Sequence, residues 1–289
     1  MKVGFCCLYG LANAGKSTLL NSILGVKVQA VSNTAQTTRE NIQGIYNDDD
    51  SQIVFIDTPG LHSPHKKLGE LLLKDASEAK DNVDVLVYVV DSTAKVNETL
   101  CAKLASYNAP IIIAFNKIDV CDLDKGQFHL DGYKKLLPQA EIVEMSALKK
   151  INVDQLISKV KNHLEEGIPY FPTDQLIDHP TRFVWSEMIR EKCLNYLTQE
   201  VPHAIHVEII KTEENEEGLK IYADIIVEKP SEKAIVIGKK GQMISKIRRH
   251  AEHSISIFMQ EKCKLELYVK VEPNWRNLST KLKEYGYQK

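Results

Sequence analysis

The run Gly10-Leu11-Ala12-Asn13-Ala14-Gly15-Lys16-Ser17 reads G-x-x-x-x-G-K-S, and no other stretch restricts the fold of this chain so tightly. Its glycines let the backbone turn sharply enough for successive N–H groups to converge on an anion. In that arrangement Lys16 reaches the outer phosphates of a nucleoside triphosphate, and the Ser17 hydroxyl ligates Mg²⁺. The loop also dictates its neighbours. A strand must lead in and a helix must lead out, so that the helix N-terminus adds its positive end to the phosphate site. Residues 3–8 form a short apolar run of strand type, and residues 18–24 open as a helix. The nucleotide-contacting set expected here is Gly10, Asn13, Ala14, Gly15, Lys16, Ser17 and Thr18.

The same alternation continues to about residue 164. Apolar runs at 53–56, 83–90, 111–115 and 142–145 are of the kind buried on both faces in a parallel sheet. Helical stretches are expected near 68–80, 98–106 and 153–164. The order predicts a three-layer α/β P-loop domain over residues 1–168 with a mostly parallel sheet, its chemistry gathered at the carboxyl ends of the strands. Pro169, Pro172 and Pro180 then frame a linker over 169–180. Residues 181–289 read as a second, α+β domain. It opens with a helix whose Trp185, Met188 and Ile189 share a face, continues in two alternating strands, and carries a final strand with Leu265, Leu267, Val269 and Val271 on one side.

With 289 residues, two domains of this size each have room for a core. The net charge of −2 argues against a globally basic nucleic-acid binder. From Pro180 onward, however, 19 basic residues stand against 16 acidic ones, while the remainder has 18 against 23. The six cysteines show no C-x-x-C spacing, so buried thiols are expected rather than zinc or disulfides. No apolar stretch reaches 18 residues, and cleavage after the short apolar N-terminal run would destroy the phosphate loop. A cytoplasmic protein is expected.

Three further motifs follow the loop in order. Asp57-Thr58-Pro59-Gly60 ends an apolar strand 41 residues after Lys16. There Asp57 serves Mg²⁺ and the Gly60 N–H senses a γ-phosphate. Asn116-Lys117-Ile118-Asp119 selects the base. Guanine presents N1–H and N2 amine side by side for the Asp119 carboxylate, whereas adenine would leave that carboxylate unpaired, and a site built on such bonds discriminates by up to ~10⁴–10⁵. Lys117 packs over the base plane. Ser146-Ala147, after the last strand, offers a backbone N–H to the guanine O6.

These motifs together resemble the translation-factor-related GTPases, and Gln36-Thr37-Thr38-Arg39 with Asp57-Thr58-Pro59-Gly60-Leu61-His62 narrows the likeness to the bacterial Era family. The resemblance implies that Thr38 closes on Mg²⁺ when GTP is present, with the adjacent Thr37 as the alternative. The metal ligands are then Ser17, Thr38 and Asp57, and Lys16, Thr38 and Gly60 form the catalytic set. Asn13 matches an asparagine that helps place K⁺ in related GTPases. Leu11, Ala12 and Ala14 replace the Arg, Pro and Val usual in that family, without touching the phosphate contacts. Leu61 stands where signalling GTPases carry a water-orienting glutamine, so unaided hydrolysis is expected on the order of ~10⁻⁴–10⁻³ s⁻¹ or below. His62 is read as a structural residue of the switch.

In the second domain, Gly238-Lys239-Lys240-Gly241 follows the apolar Ile235-Val236-Ile237, read as a strand, and opens a helix. This G-x-x-G loop resembles that of the KH domain, which clamps about four nucleotides of single-stranded RNA. Lys239, Lys240, Lys246, Arg248 and Arg249 fall in 11 residues with no acid between them. The expected RNA contacts are these five with Ile237, Gly238 and Gly241. The order helix, strand, strand, helix, strand and the C-terminal Trp275 also resemble the Era family.

The family likeness implies a slow GTPase switch that binds GTP or GDP. It implies binding to the 3′ end of the small-subunit rRNA and assistance to assembly of the small subunit from its 30S precursor. A monomer is expected, with weak peripheral association at the inner membrane as a further expectation of the likeness. A GTPase directed at tRNA or another RNA, and an RNA-binding module that senses nucleotide without hydrolysis, are the alternatives.

Overall fold

A computed structural model describes residues 1–31, 42–58, 83–197, 201–216 and 218–287. Two compact units emerge, changing over between Asp178 and His179, with residues 26–31 counted with the second. The helix expected over 68–80 lies outside the described residues.

The first unit is built on a seven-stranded sheet. β1 (Lys2–Tyr9) pairs in parallel with β3 (Ser51–Asp57) on one side and β4 (Val85–Asp91) on the other. β5 (Ile111–Asn116) and β6 (Glu141–Glu144) extend it in parallel. β2 (Ile42–Asn47) joins β3 as an antiparallel hairpin, and the short β7 (Glu165–Glu166) returns against β1. Every residue from Val85 to Val90 is buried, as a central strand covered on both faces requires.

Helices α1 (Lys16–Leu24), α2 (Glu98–Leu104), α3 (Leu123–Leu136) and α4 (Val153–Asn162) link these strands. Sequence reading missed α3, though its signals are present. Asp122 caps it by accepting from the Lys125 N–H, and Leu130, Tyr133 and Leu137 recur on its buried face.

The segment that leaves this unit is stitched to it. Leu176 O accepts from Ile45 N at 2.8 Å, and Gln43 O accepts from Asp178 N at 3.1 Å. Gly44 and Ile177 form an antiparallel bridge. Further back, the wholly buried Gln52 side chain accepts from the N–H groups of Tyr170 (2.7 Å) and Phe171 (3.0 Å) and donates to Phe171 O and Asn47 Oδ1, both at 2.8 Å. A buried amide with all its valences used is well satisfied. Residues 170–178 are thus strapped along the hairpin of β2 and β3.

The second unit opens with α5 (Thr181–Tyr196), whose Trp185, Met188 and Ile189 are buried, and a short α6 (Val201–Ala204). β8 (His206–Asn215) and β9 (Gly218–Val227) form a hairpin with a bulge between Ile209 and Lys211. β10 (Cys263–Val271) runs parallel to β9. A parallel neighbour needs a crossover, and here it is α7 (Pro230–Ile237) and α8 (Gln242–Met259).

The strand expected at Ile235–Ile237 is therefore corrected to the last turn of α7. Proline near the first helical position and Glu232, which accepts from the N–H groups of Glu228 (2.8 Å) and Lys229 (3.0 Å), start a helix that the apolar triplet merely ends. Of the three, only Val236 is buried. The chain closes on α9 (Ser279–Glu284), with Trp275 wholly buried and donating from Nε1 to Ala204 O at 2.9 Å.

None of the six cysteines is in a disulfide, and four of them are buried. Among the described residues no cluster of three His, Cys, Asp or Glu side chains could hold a metal, and no helix is long and apolar enough to cross a membrane.

Candidate nucleotide site and nucleic-acid loop

The phosphate loop sits where β1 turns into α1. Gly10 and Gly15 hold φ of 153° and 102°, and Asn13 holds 62°. A side chain at Gly10 would meet Val89 O at 2.4 Å, and one at Gly15 would meet Asn116 Nδ2 at 2.3 Å. Both glycines are thus demanded by packing as well as by anion approach.

Lys16 is only 5% exposed, and its ammonium donates to the carbonyls of Gly10 (3.1 Å) and Leu11 (2.9 Å). Burial pulls its pKa down, and the nearby Asp57 carboxylate works the other way. A cation removed from water gains most when an anion arrives, so the loop holds its lysine ready for phosphate.

At the end of β3 the wholly buried Asp57 accepts from Ser17 Oγ through Oδ2 at 2.7 Å. A hydroxyl and a carboxylate held together are hard oxygen donors that fit Mg²⁺. Thr58 Oγ1 donates to Leu8 O at 2.8 Å and ties the end of β3 to β1. Thr38, its neighbour Thr37, Gly60, Leu61 and His62 fall outside the described residues.

At the end of β5, Asn116 is a brace. Its Nδ2 donates to Ala14 O and its Oδ1 accepts from Ala147 N, both at 2.9 Å. One buried side chain thereby joins the phosphate loop to the loop after β6. One backbone N–H from Ser146-Ala147 is expected to meet guanine O6. Here Ser146 N donates to Ile151 O (3.2 Å) and Ala147 N to Asn116 Oδ1 (2.9 Å). Asp119, at the end of the base-reading motif, is exposed.

Lys117 has a φ of 69°, and its Nζ donates to Asp91 Oδ2 at 2.6 Å. The other oxygen of Asp91 accepts from Thr93 N (2.9 Å) and Thr93 Oγ1 (2.7 Å). Burial opposes the Asp91 carboxylate, but the hydrogen bonds from Lys117 and Thr93 outweigh it and lower its pKa. Asp91 was missed by the sequence reading. Its only signal there is an acid ending a fully apolar strand.

In the second unit, Gly238 ends α7 at φ 71° and Gly241 begins α8 at φ 74°, with Lys240 between them at 51°. Gly241 brings no side chain to cap α8, so the capping position leaves the first N–H groups of that helix to other partners. Around Gly241 an added Cβ would meet nothing within 4 Å. Lys239, Lys240, Lys246, Arg248 and Arg249 span the loop and the first turns of α8. Ile237, Met243 and Ile244 are half-buried, and Ile247 is core. Lys239, Lys240, Arg248 and Arg249 are exposed, and the Lys246 ammonium lies 4.1 Å from the centroid of the Tyr196 ring of α5.

A phosphate loop, a strand-ending Asp57 and a strand-ending Asn116–Asp119 motif on one parallel sheet, followed by G-x-x-G between two helices, define a P-loop GTPase joined to a KH domain. The family model described as "50S ribosome-binding GTPase" matches residues 5–117, and the KH domain model matches residues 200–276.

The chain is 39% identical to GTPase Era of Staphylococcus haemolyticus, over 99% of this chain and 97% of that protein. It is 42% identical to GTPase Era of Clostridium acetobutylicum, over 99% and 98%. The crystal structure of a point variant of Aquifex aeolicus Era bound to GDP·AlF₄⁻ superposes with a TM-score of 0.92 at 36% identity, covering 99% of each chain. A structure of Era with MgGDPNP and nucleotides 1506–1542 of 16S ribosomal RNA gives the same score, identity and coverage. The chain belongs to the Era family of GTPases.

Proposed function

We propose that this GTPase uses its bound nucleotide to time the hold of its KH domain on single-stranded RNA from the 3′ end of the small-subunit rRNA, and so assists assembly of the small ribosomal subunit. The observation that carries the reading is the Gly238–Gly241 loop. Its two lysines are exposed, Gly241 has open space beside it, and no side chain caps the start of α8, so a phosphodiester chain can reach all three. Glycine lets such a chain approach closely, and the helix N-terminus favours its charge. The Era structure that holds both MgGDPNP and a 16S rRNA segment supports the same assignment.

On the nucleotide side, the loop N–H groups and Lys16 bind the phosphates, and Asn116, Lys117 and Asp119 orient guanine. Ser17, Asp57 and Thr38 would hold Mg²⁺, which neutralises charge on the β- and γ-phosphates. K⁺ beside the exposed Asn13 belongs to the same proposal. The γ-phosphate engages Thr38 and Gly60, and hydrolysis ends that contact.

Reversing the loop charge tests the assignment. K239E/K240E is expected to abolish binding of an rRNA 3′-end oligonucleotide in a fluorescence titration and to leave GTP affinity unchanged. Undiminished oligonucleotide binding, or loss of both affinities together, overturns it. Preference of the native protein for tRNA over the rRNA oligonucleotide would move the RNA target elsewhere.

A further inference from the structure

We propose that Asp91, at the end of β4, is a positioning residue for the guanine base, acting through Lys117. The inference rests on residues 116–119 being the guanine site. Lys117 is the residue of that motif with a long, flexible side chain, and its φ of 69° takes its backbone out of the regular strand. A lysine stem serves as a lid on an aromatic ring only if its far end is held.

Asp91 supplies that hold at 2.6 Å. The carboxylate is itself immobilised, because its second oxygen takes both the N–H and the hydroxyl of Thr93. The sheet fixes the distance between the two. Asp91 and Asn116 are register partners in β4 and β5, and Ser92 N donates to Asn116 O at 2.9 Å. The ammonium is therefore anchored to a rigid strand end while its methylene stem stays available to the base. Pairing the ammonium with Asp91 also offsets a second positive charge near Lys16, whose own ammonium is held by the Gly10 and Leu11 carbonyls.

The base is common to GTP and GDP, so loss of Asp91 should weaken both equally without touching the chemical step. In D91A, release of a fluorescent GDP analogue is expected to quicken about tenfold. The KM for GTP should rise by a similar factor, and kcat at saturating GTP should be unchanged. D91E, which keeps a carboxylate, should recover part of the affinity.

A double-mutant cycle separates positioning from a structural role: in a K117A background, D91A should have almost no further effect. Equal effects of D91A with and without Lys117, or a fall in kcat alone, would sink the proposal. D119N serves as the control, since an amide N–H₂ donates to the C2 carbonyl of xanthine where a carboxylate cannot. If D119N fails to shift binding from GTP towards XTP, it is the guanine assignment that is wrong, whatever D91A does.

Discussion

Gly15 shows how much one residue carries in this fold. Its φ of 102° lies in the left-handed region, and a methyl group there would stand 2.3 Å from Asn116 Nδ2. Gly15→Ala therefore strains the backbone and pushes Asn116 off its bonds to Ala14 and Ala147. A loss of about 2–3 kcal/mol is expected from strain plus the broken brace, read as a lower urea midpoint. Guanine nucleotide affinity should fall at least tenfold in the same protein. Unchanged stability would mean that Asn116 can move at no cost.

The need for glycine was legible in the G-x-x-x-x-G-K-S spacing, because phosphate approach alone requires it. The Asn116 brace was not, since 102 positions separate it from Ala14 and only the folded sheet brings them together. Asp91 was hidden for the same reason: nothing in the sequence says which strand end faces Lys117.

At the scale of elements, the hairpin of β2 and β3 is pinned to α4 through its turn. Asp48 accepts from Ser51 N (2.9 Å), Ser51 Oγ (2.7 Å) and Tyr46 OH (2.9 Å), and also from Lys161 of α4. Burial works against the Asp48 carboxylate, but the bonds from Lys161, Ser51 and Tyr46 prevail and hold its pKa below the ordinary 3.8. Tyr46 is pushed up to about 12, by burial first and by its bond to Asp48 second.

A carboxyl with a lowered native pKa contributes its full stability above pH 3.8 and loses it as the pH falls through the native value. Lys161→Met should therefore cost about 1 kcal/mol at neutral pH. The gap from the native protein should narrow as urea denaturation is repeated towards low pH. A gap that stayed constant with pH would assign the cost to lost packing instead.

Helix α7 teaches the complementary lesson about reading sequence. Ile235-Val236-Ile237 has the composition of a strand, but the start of a helix five residues earlier, at Pro230 and Glu232, outweighs it. Local composition misled where a cap a few positions away decided the element. The parallel strands of the GTPase sheet were legible from their apolar runs, the antiparallel strands β2 and β7 were not, and α3 was missed because its polar face outnumbers its buried one.

For the molecule as a whole, motif order carried most of what was legible. The phosphate loop, the Asp57 turn, the Asn116 motif and the G-x-x-G loop each mean little alone, and their sequence along one chain specifies two activities. What motif order could not show is how the chain leaves the first unit. The prolines at 169, 172 and 180 suggest a free tether, whereas residues 170–178 are bonded along β2 and around Gln52. Proline marks the absence of helix there, and does not exclude a short extended pairing.

That strap has a consequence for stability against self-association. β2 has β3 on one side only, and its other row of N–H and C=O groups is occupied by residues 176–178. A protein cut back to residue 168 would bare this row beside the emptied valences of Gln52, and such a surface invites strand pairing with another copy. It should form dimers or larger species in size-exclusion chromatography, while a version ending at Asp178 stays monomeric. A stretch that looks like a tether would then be what keeps the GTPase unit from sticking to itself.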